Sequence, residues 1–174
     1  MTYFFLDYLI KKNGSNFKIN NYLIYVLLAT VCDVMPLRKI NRIIASYVIK
    51  NFKINDSPAL KSIFDLLGIK KKLTIDDLGY LIGPIINSGG RLGFSHYSLE
   101  LLTTDDPKLI QQRSIELIKL NEKRKLLEQN ILSEINYEKI NKQNQNVVIY
   151  YDANINEGLI GIIAARLKDY FNKP

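Results

Sequence analysis

Apolar residues recur at helical spacing along the first half of this chain, and polar breaks separate them into short helices. Asn13-Gly14 stops the first apolar segment, and Gly68 stops the fourth. Ser57-Pro58 is typical of a helix start, and Thr74 with Asp77 resembles a capping box. The pattern therefore predicts helices at 2–12, from Asn20 or Asn21 to about Val31, at 41–52, at 57–67 and from Thr74 to Gly83-Pro84.

The second half is predicted to contain one long helix and a short α/β segment. Helices are expected at 95–102 and 107–137, then a polar linker at 141–146, a strand at 147–151 and a helix at 158–170. About 30 helical residues span roughly 45 Å, which is typical of a helix that bridges domains. One strand and one helix cannot bury both faces alone, so we expect this end to belong to a larger α/β domain.

Composition narrows the class of protein. A hydrophobic content of 47% argues against disorder. No apolar run reaches the roughly 18 residues of a membrane span, and no signal peptide is recognised, so no membrane partner is expected. The single cysteine, Cys32, excludes an internal disulfide and is interpreted as a small buried apolar residue. These features favour a cytoplasmic protein.

The net charge favours a polyanionic partner without proving one. Lys and Arg number 24 against 17 Asp and Glu, which gives a formal charge of +7. Such an excess attracts phosphates and releases counterions. Much of it is lysine in a sequence rich in Ile, Asn and Lys, and the run Lys70–Lys72 is interpreted as solvated charge.

The segment Gly83–Gly93 carries the most specific local signal. It reads Gly-Pro-Ile-Ile-Asn-Ser-Gly-Gly-Arg-Leu-Gly. Gly89 and Gly90 permit backbone angles or close approaches that other residues do not, so a compact turn is expected. Arg91 at its edge is either an ordinary surface arginine or a contact for phosphate or carboxylate.

Two further segments give this one its context. Leu28–Leu37 places Asp33 at the end of an apolar helix, where it is either a turn aspartate or a functional carboxylate. Asn156–Leu167 opens a helix at Gly158, whose start leaves backbone N–H groups available to an anion.

In this order, with a long charged helix between the second and third, the three segments resemble the bacterial RecJ family. That family comprises single-strand-specific DNA exonucleases of the DHH phosphoesterase superfamily. The resemblance implies a mostly helical α/β fold: the late part of a DHH domain at 1–105, a connecting helix at 106–140 and the start of a DHHA1-type domain at 146–174. It also implies metal-dependent hydrolysis of single-stranded DNA from the 5′ end, in repair and recombination.

The resemblance also assigns roles to individual residues. Asp33 matches a ligand of a two-metal centre that holds Mn²⁺ or Mg²⁺. Asn87, Gly90 and Arg91 match positions expected to contact the DNA backbone. Gly158, Gly161 and Arg166 match structural or phosphate-adjacent positions, and Gly161 with Ala164 is expected to let the last helix pack closely on a sheet.

Several departures from the family pattern change what is expected of this chain. The Asp-His-His triplet is absent, and the only histidine, His96, is interpreted as a surface or half-buried residue. Ile85 stands where the family usually has arginine, Asn156 replaces a histidine and Ala165 replaces a serine. The chain is therefore expected to be an internal fragment that is inactive alone, with a separately encoded N-terminal segment as a candidate partner.

Other functions stay open at this point. One is a phosphodiesterase of the same superfamily that cleaves oligonucleotides or cyclic dinucleotides, although the long helix argues against it. Another is a non-catalytic helical module that binds nucleic acid or a protein partner. For the fragment, the apolar stripe of the long helix (Leu117, Leu120, Leu127 and Ile131) is expected to be partly exposed and to promote self-association.

Overall fold

The protein is built from helices that form two compact units, Met1–Pro84 and Ile85–Pro174. The computed structural model describes residues 1–141 and 146–174, and no β-strand occurs among them. The α-helices are α1 (Thr2–Lys12), α2 (Leu23–Cys32), α3 (Lys39–Asn51), α4 (Pro58–Leu66), α5 (Gly83–Arg91), α6 (Ser95–Thr103), α7 (Pro107–Glu134), α8 (Tyr137–Asn141) and α9 (Glu157–Phe171). Short 3₁₀ helices span Ile19–Tyr22 and Ile54–Asp56, and a π-helix spans Asp77–Ile82. The mostly helical fold predicted from the sequence is confirmed.

Helix starts follow the capping chemistry of the sequence. Ser57 Oγ accepts a hydrogen bond from the Leu60 amide at the start of α4. Thr74 and Asp77 exchange hydrogen bonds, each side chain accepting from the other residue's amide. Asp106 caps α7 in front of Pro107. These contacts satisfy amides that a helix leaves without partners, so the predicted starts are confirmed.

The first unit is organised around α2. Its buried face packs on α3 and on the π-helix, and comprises Leu23, Ile24, Leu27 and Leu28. Helix α1 contrasts with it, because none of its residues is buried. Phe5 and Tyr8 of α1 are 62% and 59% exposed, so this end of the unit presents an apolar surface.

The glycine-rich segment is a helix, and the predicted compact turn is wrong. Residues Gly83–Arg91 form α5 directly after the π-helix. The Gly83 amide donates to the Leu78 carbonyl five residues back, which is the register of a π-turn. Pro84 has no amide hydrogen to donate. It follows directly after the point where the backbone hydrogen bonds of the helix have left the α-helical register. The chain turns only at Gly93, which has a φ of +88°.

The long helix is shorter than expected, and one of the four residues of its apolar stripe is fully buried. It ends at Glu134, because Ile135 is extended with a ψ of 125°, and α8 follows. Leu117 is fully buried, and Leu120, Leu127 and Ile131 are half-buried, since α7 packs against α6 and α9. Among the described helices, none combines the length and apolar character needed to cross a membrane.

The predicted strand at 147–151 is also wrong. Residues 148–151 are irregular, and the Val148 amide donates to the Pro174 carbonyl instead of to a neighbouring strand. A strand needs a partner for its backbone groups, and the described residues offer none. Of the linker predicted at 141–146, residues 142–145 lie outside the described part of the chain.

The second unit holds α9 against α7 and α5. An apolar cluster of Ile135, Ile140, Ile163 and Leu167 joins the end of α7 and α8 to α9. At the other end of α9, Gly158 lies against the last turn of α5. A Cβ on Gly158 would overlap the Arg91 carbonyl oxygen and lie 2.8 Å from the carbonyl carbon. Position 158 therefore has to be glycine for this packing.

Substitution of Gly158 should destabilise the protein. In Gly158→Ala the new methyl group meets backbone atoms that cannot move independently, so α9 must shift, at a cost of about 1–3 kcal/mol. Urea denaturation followed by circular dichroism measures the change in the free energy of unfolding.

Gly161→Ala is the matched control in the same helix. A Cβ on Gly161 would meet nothing within 4 Å. Alanine should stabilise the helix there by about 0.5–1 kcal/mol, because glycine is the more flexible residue in the unfolded chain. Equal effects of the two substitutions would contradict the close approach at Gly158.

Candidate nucleic-acid interface

Helix α5 presents Asn87, Gly90 and Arg91 on one face. Their spacing of three and four residues places them next to each other on the helix surface. Asn87 and Gly90 are exposed and Arg91 is half-buried. The three positions proposed for DNA contact from the sequence are therefore brought together by a single helix turn.

The opposite face of α5 fixes the helix in the unit. Ser88 Oγ donates to the carbonyls of Ile85, at 2.6 Å, and Leu117, at 3.1 Å. A Cβ on Gly89 would lie 2.8 Å from the Phe94 carbonyl oxygen, so this glycine permits the close approach that the sequence predicted. Gly90 has open space around it and is not needed for packing.

Ile85 contributes packing at a position where the resemblance predicts arginine. Its side chain is 2% exposed. This position therefore adds no charge to the surface of α5, and Arg91 is the cation on the face that carries Asn87.

Arg91 has a structural contact as well as an exposed part. Its Nη1 donates to the Gly158 carbonyl oxygen at 3.0 Å. This hydrogen bond adds to the backbone contact between the same two residues and holds the start of α9 beside α5. The guanidinium is thereby fixed in place at the edge of the Asn87 face.

Gly158 acts through packing and not through a free amide. Asn156 Oδ1 accepts from the Gly158 amide at 2.9 Å, and the Asn156 carbonyl accepts from Leu159 at 2.8 Å. The expected availability of the Gly158 amide to an anion is therefore wrong. Asn156, the substitution for the family histidine, is the helix cap that occupies it.

Gly161 and Arg166 are the other two residues of α9 that match the family pattern. Gly161 is exposed and makes no close contact, so the tight packing expected there is not formed among the described residues. Arg166 Nε donates to Glu128 Oε1 at 3.0 Å. Glu128 is 7% exposed and also binds Arg124, so Arg166 belongs to an ion-pair cluster that joins α9 to α7.

Asp33 lies in the first unit, at the C-terminal end of α2. It is exposed, and its amide donates to the Ala29 carbonyl. Beside it, a Cβ on Gly83 would lie 2.6 Å from Cys32 Sγ, so the start of α5 packs directly on the end of α2. Val34 follows with a φ of +52°, a left-handed conformation that is rare for a β-branched residue.

The described residues do not build a metal centre by themselves. They contain no group of three or more His, Cys, Asp and Glu side chains placed to share an ion. His96 is exposed and packs edge-on against Tyr97, which agrees with its interpretation as a surface residue. Cys32 is half-buried, and burial, with the nearby Asp33 charge, raises the pKa of its thiol.

One surface feature escaped the sequence analysis. Phe94 and Tyr97 stack with ring centroids 5.2 Å apart, directly after the turn that ends α5. The signal in the sequence was the aromatic residues that flank His96, but without the structure nothing distinguished them from core residues. Their position next to α5 makes them part of the candidate interface.

The same chain segments have counterparts in known proteins. No family model matches the chain. The single-stranded-DNA-specific exonuclease RecJ of Salmonella typhimurium is 30% identical over 156 residues, which are 86% of this chain and 27% of that protein. The crystal structure of RecJ from Thermus thermophilus in complex with Mg²⁺ superposes with a TM-score of 0.79 at 26% identity, covering 95% of this chain and 26% of that chain. The same protein in complex with Mn²⁺ gives the same TM-score and identity, and 25% of it is covered.

The sequence matches and the structural matches both cover most of this chain. The chain spans about a quarter of the length of the curated relatives and solved structures that it matches. The similarity runs through all three segments identified from the sequence, since it covers nearly the whole chain. The chain is therefore similar, over most of its own length, to a segment of single-stranded-DNA-specific exonucleases of the RecJ family.

Proposed function

We propose that this chain is part of an exonuclease that hydrolyses single-stranded DNA from the 5′ end, in DNA repair and recombination in the cytoplasm. The observation that carries the proposal is the exposed face of α5. Its three residues Asn87, Gly90 and Arg91 stand at the positions that the resemblance assigns to DNA contact, and the fold presents them side by side. The relatives that the chain matches are named as single-stranded-DNA-specific exonucleases.

The chemistry of this face suits the sugar-phosphate backbone. Asn87 offers amide donors, and Arg91 offers a cation with several N–H groups. Gly90 lies between them without a side chain, so a strand can approach the helix backbone closely. Contacts of this kind position DNA without reading its sequence.

We propose Asp33 as one ligand for Mn²⁺ or Mg²⁺, with the remaining ligands supplied by polypeptide outside this chain. Two observations support the proposal: Asp33 is exposed, and the residue that follows it, Val34, has a left-handed backbone conformation. Backbone strain of this kind costs about 1–3 kcal/mol and concentrates at functional sites. A single carboxylate does not hold the pair of metals that phosphodiester hydrolysis uses.

We infer that the apolar surface of α1 is covered by further polypeptide, either continuous with this chain or separately encoded, because the chain spans only about a quarter of the length of its relatives. The assignment of 1–105 to a DHH domain, 106–140 to a connecting helix and 146–174 to a DHHA1-type domain stays part of this proposal.

A second candidate is a helical module that binds nucleic acid without catalysis. It is favoured by the lack of a metal-binding cluster among the residues that the structure describes. Both candidates require the α5 surface to bind DNA, and they differ in whether added polypeptide and metal restore hydrolysis.

Asn87→Ala should lower the affinity for single-stranded DNA without lowering stability. The change removes an exposed amide from a helix and replaces it with a better helix former, so the fold should be unaffected or slightly stabilised. Fluorescence anisotropy of a labelled oligonucleotide, measured over a range of salt concentrations, gives the affinity and its salt dependence.

Two variants make this measurement specific. Asn130→Ala, an exposed position on α7, should leave affinity unchanged. Arg91→Ala should lower affinity and also reduce the slope of log K against log salt by about 0.7, since it removes one phosphate-neutralising charge. Identical affinities for wild type and both α5 variants would exclude this face as the binding surface.

The chain on its own should not degrade DNA. Purified protein with Mn²⁺ and single-stranded DNA labelled at the 3′ end should leave the substrate at full length, because Asp33 is the one metal ligand proposed here. Shortening that Asp33→Ala abolishes, and that the control Asp65→Ala retains, would show that this chain carries a complete catalytic centre.

A further inference from the structure

A cluster of aromatic side chains lies immediately after α5, at the start of α6. Phe94 is 39% exposed, and its ring stacks on that of Tyr97 with planes 30° apart. The His96 ring packs edge-on against Tyr97 at 4.6 Å and is itself exposed. Large aromatic surfaces left open to water in this way are typical of binding sites.

Tyr97 is fixed from its other side. The Arg113 guanidinium lies 4.1 Å from the Tyr97 ring centroid and donates hydrogen bonds to Glu100 and Glu116. The hydrogen bond with Glu116, together with that to Glu100, raises the pKa of Arg113 despite the opposing effect of desolvation. Arg113 is therefore paired with two carboxylates and lies against the Tyr97 ring.

The aromatic cluster is joined to the proposed DNA-binding face by backbone contacts. The Phe94 amide donates to the Gly89 carbonyl oxygen at 2.7 Å, and Gly93 provides the turn between them. Phe94 is therefore placed at the end of α5 by its backbone, and its side chain is not needed for that placement. Phosphate-binding groups and exposed rings consequently follow one another along a short stretch of chain.

We propose that Phe94, supported by Tyr97 and flanked by His96, is a stacking platform for an unpaired base of single-stranded DNA. This inference rests on the proposed function and adds to it the residue that senses whether the bases are free. An aromatic side chain stacks on any base, so it gives no sequence preference. Paired bases are already stacked in a duplex and cannot use the platform, so the platform favours single strands.

Two labelled oligonucleotides of about 12 nucleotides, one of thymidines and one with abasic sites throughout, test the platform directly. They carry the same phosphates and differ in the presence of bases. Phe94→Ala should weaken binding of the thymidine oligonucleotide by roughly 5- to 100-fold and leave the abasic one unchanged. Phe94→Tyr should bind the thymidine oligonucleotide about as tightly as the wild type does, because it retains an aromatic ring.

Tyr170→Ala is the matched control. Tyr170 is 67% exposed and, like Phe94, packs on a neighbouring tyrosine, here Tyr137 with the ring planes 52° apart. It lies 12 residues beyond Gly158, about 18 Å along α9. Tyr170→Ala should leave the affinity for both oligonucleotides unchanged. If circular dichroism shows that Phe94→Ala is unfolded, Phe94→Leu, which keeps apolar bulk and loses the ring, is measured with the same pair.

The outcomes separate this proposal from the one on which it rests. Equal losses on both oligonucleotides, or no loss on either, would overturn the stacking platform and leave phosphate binding by α5 intact. Failure of the wild-type chain to bind either oligonucleotide would overturn both proposals.

Discussion

The contact between Gly158 and the backbone of Arg91 is the constraint on which the second unit depends. The α9 helix begins against the last turn of α5 with no room for a side chain, and the Arg91 guanidinium closes the contact by donating to the Gly158 carbonyl. One arginine therefore joins two helices and marks the edge of an exposed polar face. This packing fixes Arg91 about one helix turn from Asn87, on the face that we propose to bind DNA.

A second glycine has the same function in the first unit. Gly83 lies against Cys32, where an added Cβ would be 2.6 Å from the sulfur. The end of α2, which carries Asp33, is thereby fixed against the start of the glycine-rich helix. Gly83, Gly89 and Gly158 thus act as points of close contact, whereas Gly90 and Gly161 have open space around them.

The sequence predicted those helices whose position depends on neighbouring residues, through caps and apolar periodicity. Ser57, Thr74 and Asp106 cap helices as their sequence context indicates, and apolar periodicity located α2, α4 and α6. The helical conformation of Gly83–Arg91 was not predictable, because an excess of glycine normally indicates a turn. The missing strand at 147–151 and the break at Ile135 have the same origin, since neither strand pairing nor helix continuation follows from periodicity alone. Likewise, the partners of Gly158 and Arg166 are far away in the sequence.

We propose that α5 and the turn after it form one surface for single-stranded DNA. Two-dimensional NMR of isotope-labelled protein, titrated with a short thymidine oligonucleotide, tests this claim without any substitution. We expect the backbone amide signals of residues 87–97 to shift first and most, while those of α8 and the C-terminal half of α9 stay in place. Shifts confined to α8, to the end of α9 or to the lysine run 70–72, with residues 87–97 unchanged, would contradict it.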